Sequence, residues 1–258
     1  MINSGVQIWT ADGTSMLSFI DPMQQSMSST ATSPSGSFLR GISYFGDTIL
    51  VGDSAGGIHA IGDATGQKRF RVLVRMETVD CAISCIATDS QYVIAATEAG
   101  DVTYFLCSAF RTGSTERVKG IISGFGFSAT ACCAKNGFAV VAYSTGSMRV
   151  YSLEQVKSGT IELIADIAAH SRCINGIALN SFSSRYLVAT CSEDQIVRVW
   201  DLQNVLDCIS NPRTGRTEVR IAFEEKCDST IFTGICFVSS ESVVAASYDD
   251  DFISLFSV

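Results

Sequence analysis

Apolar residues in this chain fall into short runs, each closed by a turn before it reaches helix length. Residues 174–202, "INGIALNSFSSRYLVATCSEDQIVRVWDL", show the arrangement best. A run begins at Ile174, a polar turn follows, a second run spans Tyr186 to Thr190, and an acidic turn leads to a third run from Ile196 to Trp200. Apolar and polar residues alternate along the third run, the period of a strand rather than of a helix. No long stretch of 3.6-residue period competes, so the pattern predicts strands joined by hairpins. "ADGT" at 11–14 joins one pair through Asp-Gly, a strong hairpin signal.

The same phrase recurs along the chain. Copies lie at 41–61 ("GISYFGDTILVGDSAGGIHAI"), 83–106 ("ISCIATDSQYVIAATEAGDVTYFL"), 130–153 ("TACCAKNGFAVVAYSTGSMRVYSL") and from Phe232 to the end. Each closes on a large apolar residue: Ile61, Phe105, Tyr151, Trp200 or Phe256. Trp9 in "GVQIWT" occupies the same place in an earlier, incomplete copy. Steps between these residues run from 44 to 56, at or beyond the ~40–45 of a four-stranded propeller blade. Further runs after the closing residue, such as "MLSFI", "RFRVLV", "IELIADIA" and "EVRIAF", predict an outer fourth strand. The fold expected is an all-β propeller of about six blade units, the first and last incomplete.

The repeats resemble the WD-repeat (β-transducin-like) family, most fully in the copy at 170–202. Family blades often pin their sheet with a hydrogen-bonded tetrad of His, Ser or Thr, Asp and Trp. The resemblance puts those roles on His170, Thr190, Asp194 and Trp200. An indole N–H inside a sheet needs an acceptor, a hydroxyl supplies it, and imidazole links hydroxyl to carboxylate. Elsewhere the aspartate place holds Ala55, Ala99, Thr145 and Asp250, so most blades are expected to depend on apolar packing. The resemblance implies a cytoplasmic propeller without assigned catalysis, cofactor or defined ligand.

Residues 1–258 are expected to form a single propeller domain, part of a seven-bladed ring and lacking its N-terminal portion. Seven blades need ~280–315 residues. Two other arrangements are open: closure with fewer blades, using "SMLSFI" as the fourth strand of the last blade, or an open arc that self-associates through its edges.

A net charge of −8 and the absence of any basic run longer than two residues argue against nucleic acid and anionic membranes as partners. The first residues, "MINSGVQIWTADG", carry neither a basic nor an apolar signal region. Ten cysteines are scattered, mostly inside apolar runs, and are expected to be reduced thiols of a cytoplasmic protein. Cys132 and Cys133 fall on one strand and point to opposite faces.

Candidate chemistry is sparse. Of two histidines, His170 belongs to the tetrad, and His59, on an alternating strand, is expected to face outward. No general base then remains, and Cys81-x3-Cys85 has no second pair with which to bind zinc. No metal, cofactor or enzyme activity is expected. "FLRG" at 38–41 is reminiscent of a phosphoinositide-binding motif, but with Leu39 in place of one arginine. That leaves Arg40 alone for a lipid head group, the alternative function. "DDD" at 249–251 is expected to be a solvated turn, since consecutive carboxylates lack the spaced ligands of a calcium loop. "SMSSTATSPSGS" at 26–37 is a polar connection in which Ser33-Pro34 is a candidate phosphorylation site.

The turns between second and third strands, with the loops entering the first strands, gather on one face. They bring Arg40, Asp53, Glu98, Arg172, Glu193, Tyr248 and Asp249 together as a candidate face for binding proteins or peptides. The function expected is a non-catalytic scaffold or adaptor.

Overall fold

Tight turns organise the chain because their fourth residue accepts a left-handed backbone. In the computed structural model these residues are Gly56 (φ 86°), Gly100 (84°), Gly146 (85°) and Gln195 (69°). Glycine adopts this conformation without the Cβ clash that other residues meet. At Gly146 a side chain is barred twice over, since a Cβ there would lie 2.3 Å from the His170 carbonyl oxygen.

The structure describes residues 5–22, 38–63, 65–77, 81–112, 121–124, 126–153, 161–210 and 219–258. Among them, strands form six antiparallel sheets in chain order. Blade 1 has two strands, β1 (Val6–Trp9) and β2 (Met16–Ile20). Blade 2 comprises β3 (Leu39–Phe45), β4 (Thr48–Asp53), β5 (Gly57–Asp63) and β6 (Phe70–Glu77). In blade 3, β7 (Ile83–Thr88), β8 (Tyr92–Thr97) and β9 (Val102–Leu106) are followed by the two-residue β10 (Ile121–Ile122). Blade 4 runs through β11 (Ala129–Lys135), β12 (Phe138–Tyr143), β13 (Ser147–Ser152) and β14 (Glu162–Ala168). Blade 5 contains β15 (Ile174–Leu179), β16 (Leu187–Ser192), β17 (Ile196–Asp201) and β18 (Arg220–Lys226). Three strands make blade 6: β19 (Phe232–Ser239), β20 (Ser242–Ser247) and β21 (Ile253–Ser257).

The molecule is therefore an all-β propeller with six recognisable blade units among the described residues. β2 pairs with β1 and not with blade 6, which excludes closure by "SMLSFI" as the last blade's fourth strand. Two short helices lying wholly among the described residues are not predicted by the sequence pattern. They are α1 (Cys107–Thr112) and α2 (Gln203–Ser210), each following a third strand.

First strands stand side by side, β3 against β7, β7 against β11, β11 against β15 and β15 against β19. The sheets of blades 3, 4 and 5 are thus packed between neighbours on both faces, and the core lies between blades. Leu50, Ile58 and Ala60 of blade 2 meet Ile83, Val93 and Phe105 of blade 3. Tyr104 and Ile94 meet Val141, Tyr143 and Tyr151 of blade 4. The closing residues Ile61, Phe105, Tyr151, Trp200 and Phe256 are all buried. Burying such a side chain contributes ~1.5–3 kcal/mol, so apolar packing is the main bond between blades. Trp9 holds the same register, opposite a similar bulge, but has no preceding blade among the described residues and is 47% exposed.

Every inner strand carries a one-residue register slip near its start. The residues packed there are Gly41, Cys85, Ala131, Gly176 and Gly234, all small. A Cβ on Gly41 would lie 3.0 Å from Cys85 Cα, and one on Gly176 would lie 3.1 Å from Gly234 Cα. Neighbouring backbones approach too closely at this level for a large side chain.

At the other end of the inner strands, polar bonds step from blade to blade. Thr88 Oγ1 donates to the Tyr44 carbonyl at 2.6 Å, and Gly137 N–H to Asp89 Oδ2 at 2.9 Å. Lys135 Nζ reaches the Asn180 carbonyl at 2.7 Å, and Asn180 Nδ2 reaches that of Ser240 at 3.1 Å.

Candidate functional site

In blade 5 four side chains are bonded in series. Trp200 Nε1–H donates to Thr190 Oγ1 at 2.9 Å, and Thr190 Oγ1 lies 2.8 Å from His170 Nε2. His170 Nδ1 faces the Asp194 carboxylate at 3.0 Å. Only one proton arrangement satisfies every atom. Neutral His170 donates from Nδ1–H to Asp194 and accepts at Nε2 from the Thr190 hydroxyl, which itself accepts from Trp200. Burial pushes the His170 pKa down, outweighing the opposing pull of Asp194. Burial alone would raise Asp194, but the Ser171 N–H and the His170 ring hold it below the usual carboxylate range. The tetrad is enclosed: His170, Thr190 and Trp200 are buried. Arg198 covers it, 5.9 Å from the Trp200 ring centroid, and pairs outward with Glu224. This arrangement fastens a sheet and offers no open atom to a substrate.

Blade 2 holds a second network that the sequence did not reveal. His59 does not face outward; both it and Asp53 are 0% exposed. His59 Nε2 lies 2.8 Å from Asp53 Oδ2, while Asp53 Oδ1 accepts the N–H groups of Ala55 (2.8 Å) and Gly57 (2.7 Å). Arg75 approaches the same carboxylate at 3.4 Å. Burial alone would push Asp53 up, but the His59 bond and the Gly57 N–H bring it to about 2. Asp53 is consequently a buried structural anion and is removed from the candidate face. Alternation misled the reading of His59 because β5 is covered by a blade on each side.

A recurring cross-strand position would have exposed both networks. His59 opposes Arg75, Arg149 opposes Asp166 and Arg198 opposes Glu224. In blade 4 this polar rung places Arg149 4.9 Å from the Tyr143 ring, and the Tyr143 and Tyr151 hydroxyls are 3.0 Å apart.

The turn face is built by one backbone bond made five times. The first residue of each turn after a second strand donates its N–H to the carbonyl before the first strand. Those bonds are Ser54 to Phe38, Glu98 to Ala82, Ser144 to Ser128, Glu193 to Cys173 and Tyr248 to Ile231, at 2.9–3.0 Å. Turn tips and entry loops are thereby held on a common rim. Arg40 is exposed there and ion-paired with Glu98 of the adjacent blade. Arg172, Glu98 and Asp249 are exposed and Glu193 is half-buried. Tyr248 stands out at 76% exposure. Asp250 of the acidic turn accepts the Ser247 hydroxyl. Ser33-Pro34 lies outside the described residues. No helix among the described residues is long and apolar enough to cross a membrane.

A sequence profile of the WDR54 family matches residues 2–258. A search of curated proteins returned no match. Among solved structures, a chain of the mitotic checkpoint complex superposes with a TM-score of 0.71 at 12% identity, over 99% of this chain and 68% of that one. The computationally designed Ika8 protein gives 0.69 at 14% identity, over 99% of this chain and 66% of its own. The designed Ika4 protein gives 0.56 at 16% identity, over 73% and 98%. This chain thus spans about two thirds of the first two. At such identities the likeness is one of fold.

Proposed function

The chain belongs to the WDR54 family of WD-repeat proteins, and from that premise we propose that it is a non-catalytic scaffold that holds other proteins or peptides on its turn rim. The rim's repeated backbone bond carries the reading. It presents side chains from several blades on a framework already ordered, so a partner meets little additional ordering cost. Tyr248 supplies a large, rigid contact of the kind that dominates interfaces. Arg172, Glu193 and Asp249 surround the rim with charges of both signs, suited to discriminating among partners more than to binding them tightly. Residues 1–258 act in this proposal as a single unit in the cytoplasm. Head-group binding through Arg40 is disfavoured by its ion pair with Glu98.

Affinity capture with mass spectrometry tests the proposal. The triple variant Arg172→Ala/Tyr248→Ala/Asp249→Ala is expected to lose at least tenfold of the partners retained by wild type, at unchanged melting temperature. A control, Lys68→Ala/Arg69→Ala, alters exposed residues of the turn between β5 and β6 and should retain them. Equal loss from the control, or none from the rim variant, contradicts rim binding.

A further inference from the structure

Blade 6 has three strands where blades 2 to 5 have four, and its order β19-β20-β21 makes β21 an edge strand among the described residues. The Val258 N–H donates to the Glu241 carbonyl beside β20 at 2.8 Å, and backbone groups alternate in direction along a strand. Those of Ser254 and Phe256 therefore point to β20 as well, and those of Ile253, Leu255 and Ser257 point out from the edge. Phe256 packs toward blade 5, its ring centroid 6.0 Å from that of Phe223. Ile253 and Leu255 lie on the other face, 66% and 67% exposed. An apolar edge with outward backbone groups is a template for a further strand.

The outer strands of the complete blades show what such a place accepts. Opposite the closing residues Ile61, Tyr151 and Trp200 stand Val72, Leu163 and Ile221. A bulged residue follows, Leu73, Ile164 or Ala222, then Val74, Ala165 or Phe223, and then a charge, Arg75, Asp166 or Glu224. Blade 3 departs from this in its last place, with Ile121 opposite Thr103. In blade 6 the same register sets apolar residues against Phe256 and Leu255 and puts the fourth residue opposite Ser254. Ser254 is two residues from Phe256 and shares its face toward blade 5. On that side blade 5 presents Glu225, exposed and two residues from Phe223, whereas the neighbouring cation, Lys226, is paired with Asp228 at 2.6 Å. A basic fourth residue complements Glu225, and an acidic one is repelled by it.

We propose that the free edge of β21 docks an extended segment of a partner protein, paired antiparallel and reading apolar–apolar–apolar–basic. Main-chain bonds to Ile253, Leu255 and Ser257 hold the segment, and the alternate side chains select it. β2, the strand of this chain that ring closure would bring to this edge, is engaged by β1. The edge is a surface distinct from the turn rim.

Fluorescence anisotropy with a labelled synthetic peptide tests the proposal. The probe is "FRVLVRME", the sequence of β6, which carries the phrase as Val72-Leu73-Val74-Arg75. It is expected to bind the folded protein saturably and to slow hydrogen exchange at 253–257. Arg75→Asp in the peptide should weaken binding about fivefold or more, through loss of an ion pair and gain of a like-charge contact. In the protein, Leu255→Pro removes an outward N–H and spares the bonds to β20, as proline does on an edge, so it should abolish binding while circular dichroism reports an intact fold. Should that variant not fold, Glu225→Lys decides the matter, because the preference is then expected to reverse toward the Arg75→Asp peptide. Absence of saturable binding, binding retained by folded Leu255→Pro, or an unchanged preference in Glu225→Lys overturns the proposal. So does a dimer of the protein that the peptide fails to dissociate, which assigns the edge to a second copy.

Discussion

Thr190 is the residue on which the blade 5 network turns, because its one hydroxyl serves both Trp200 and His170. Thr190→Val keeps the shape and removes that oxygen, leaving two buried polar groups unpaired. Each such group costs ~1–3 kcal/mol, so urea unfolding should report a loss of about 2–4 kcal/mol. A change below about 0.5 kcal/mol would mean that the series of bonds is not stabilising. Proton linkage tests the assigned tautomer independently. With the folded His170 pKa below the ordinary 6.5, the unfolded chain binds more protons once pH drops below that value. His170 therefore stabilises fully above pH ~6.5 and less as pH falls through it. Asp53, held at about 2 against an ordinary 3.8, contributes above pH ~4 and is lost as pH falls toward ~2. Melting temperature should decline in these two windows, His170→Gln flattening the upper and Asp53→Asn the lower. A rise on acidification from pH 7 to 5.5 would contradict a neutral His170. The tetrad was legible because its spacing repeats a family pattern. The Asp53–His59 pair was not, because His59 lies on a strand whose two faces are both buried, where alternation no longer separates inside from outside.

Among the elements, the inner strands set the tightest tolerance. Gly176 of β15 sits 2.9 Å, measured to an added Cβ, from Cys191 Sγ and 3.1 Å from both Gly234 Cα and Ile235 N. Gly176→Val forces a blade 5 strand against a blade 6 backbone that cannot withdraw as a flexible side chain would. Overpacking of this kind costs ~1–3 kcal/mol, and thermal unfolding should show the loss, while Gly13→Val, in open space at positive φ, reports backbone strain alone. Equal effects from the two would argue against close packing at the inner strands. Strand runs and hairpin turns were readable from period and from Gly or Asp at the turns. Helices α1 and α2 were not, since six and eight residues give too few turns for a 3.6-residue period to emerge. The outer strand of blade 3 is described at Ile121–Ile122, in the place after Phe105 where a further apolar run was expected.

For the whole molecule, the repeat was the most legible feature: six closing residues in one register define the blades even where tryptophan is replaced. The rim was foreseen as a set of turns, but its membership required coordinates, since Asp53 and Glu98 belong to similar turns and only Glu98 reaches solvent. The division of labour follows from burial. Tetrad, polar rungs and inner strands hold the blades, and the rim combines fixed backbone with exposed, varied side chains. Hydrogen exchange on a complex with a captured partner tests this division most directly. Binding at the rim should slow exchange in the segments around residues 98–100, 172–173, 193–195 and 248–251. Exchange at the opposite hairpins, around 45–48, 89–91, 136–137 and 239–242, should stay as in the free protein. Protection confined to those opposite hairpins, with the rim unchanged, would contradict rim binding.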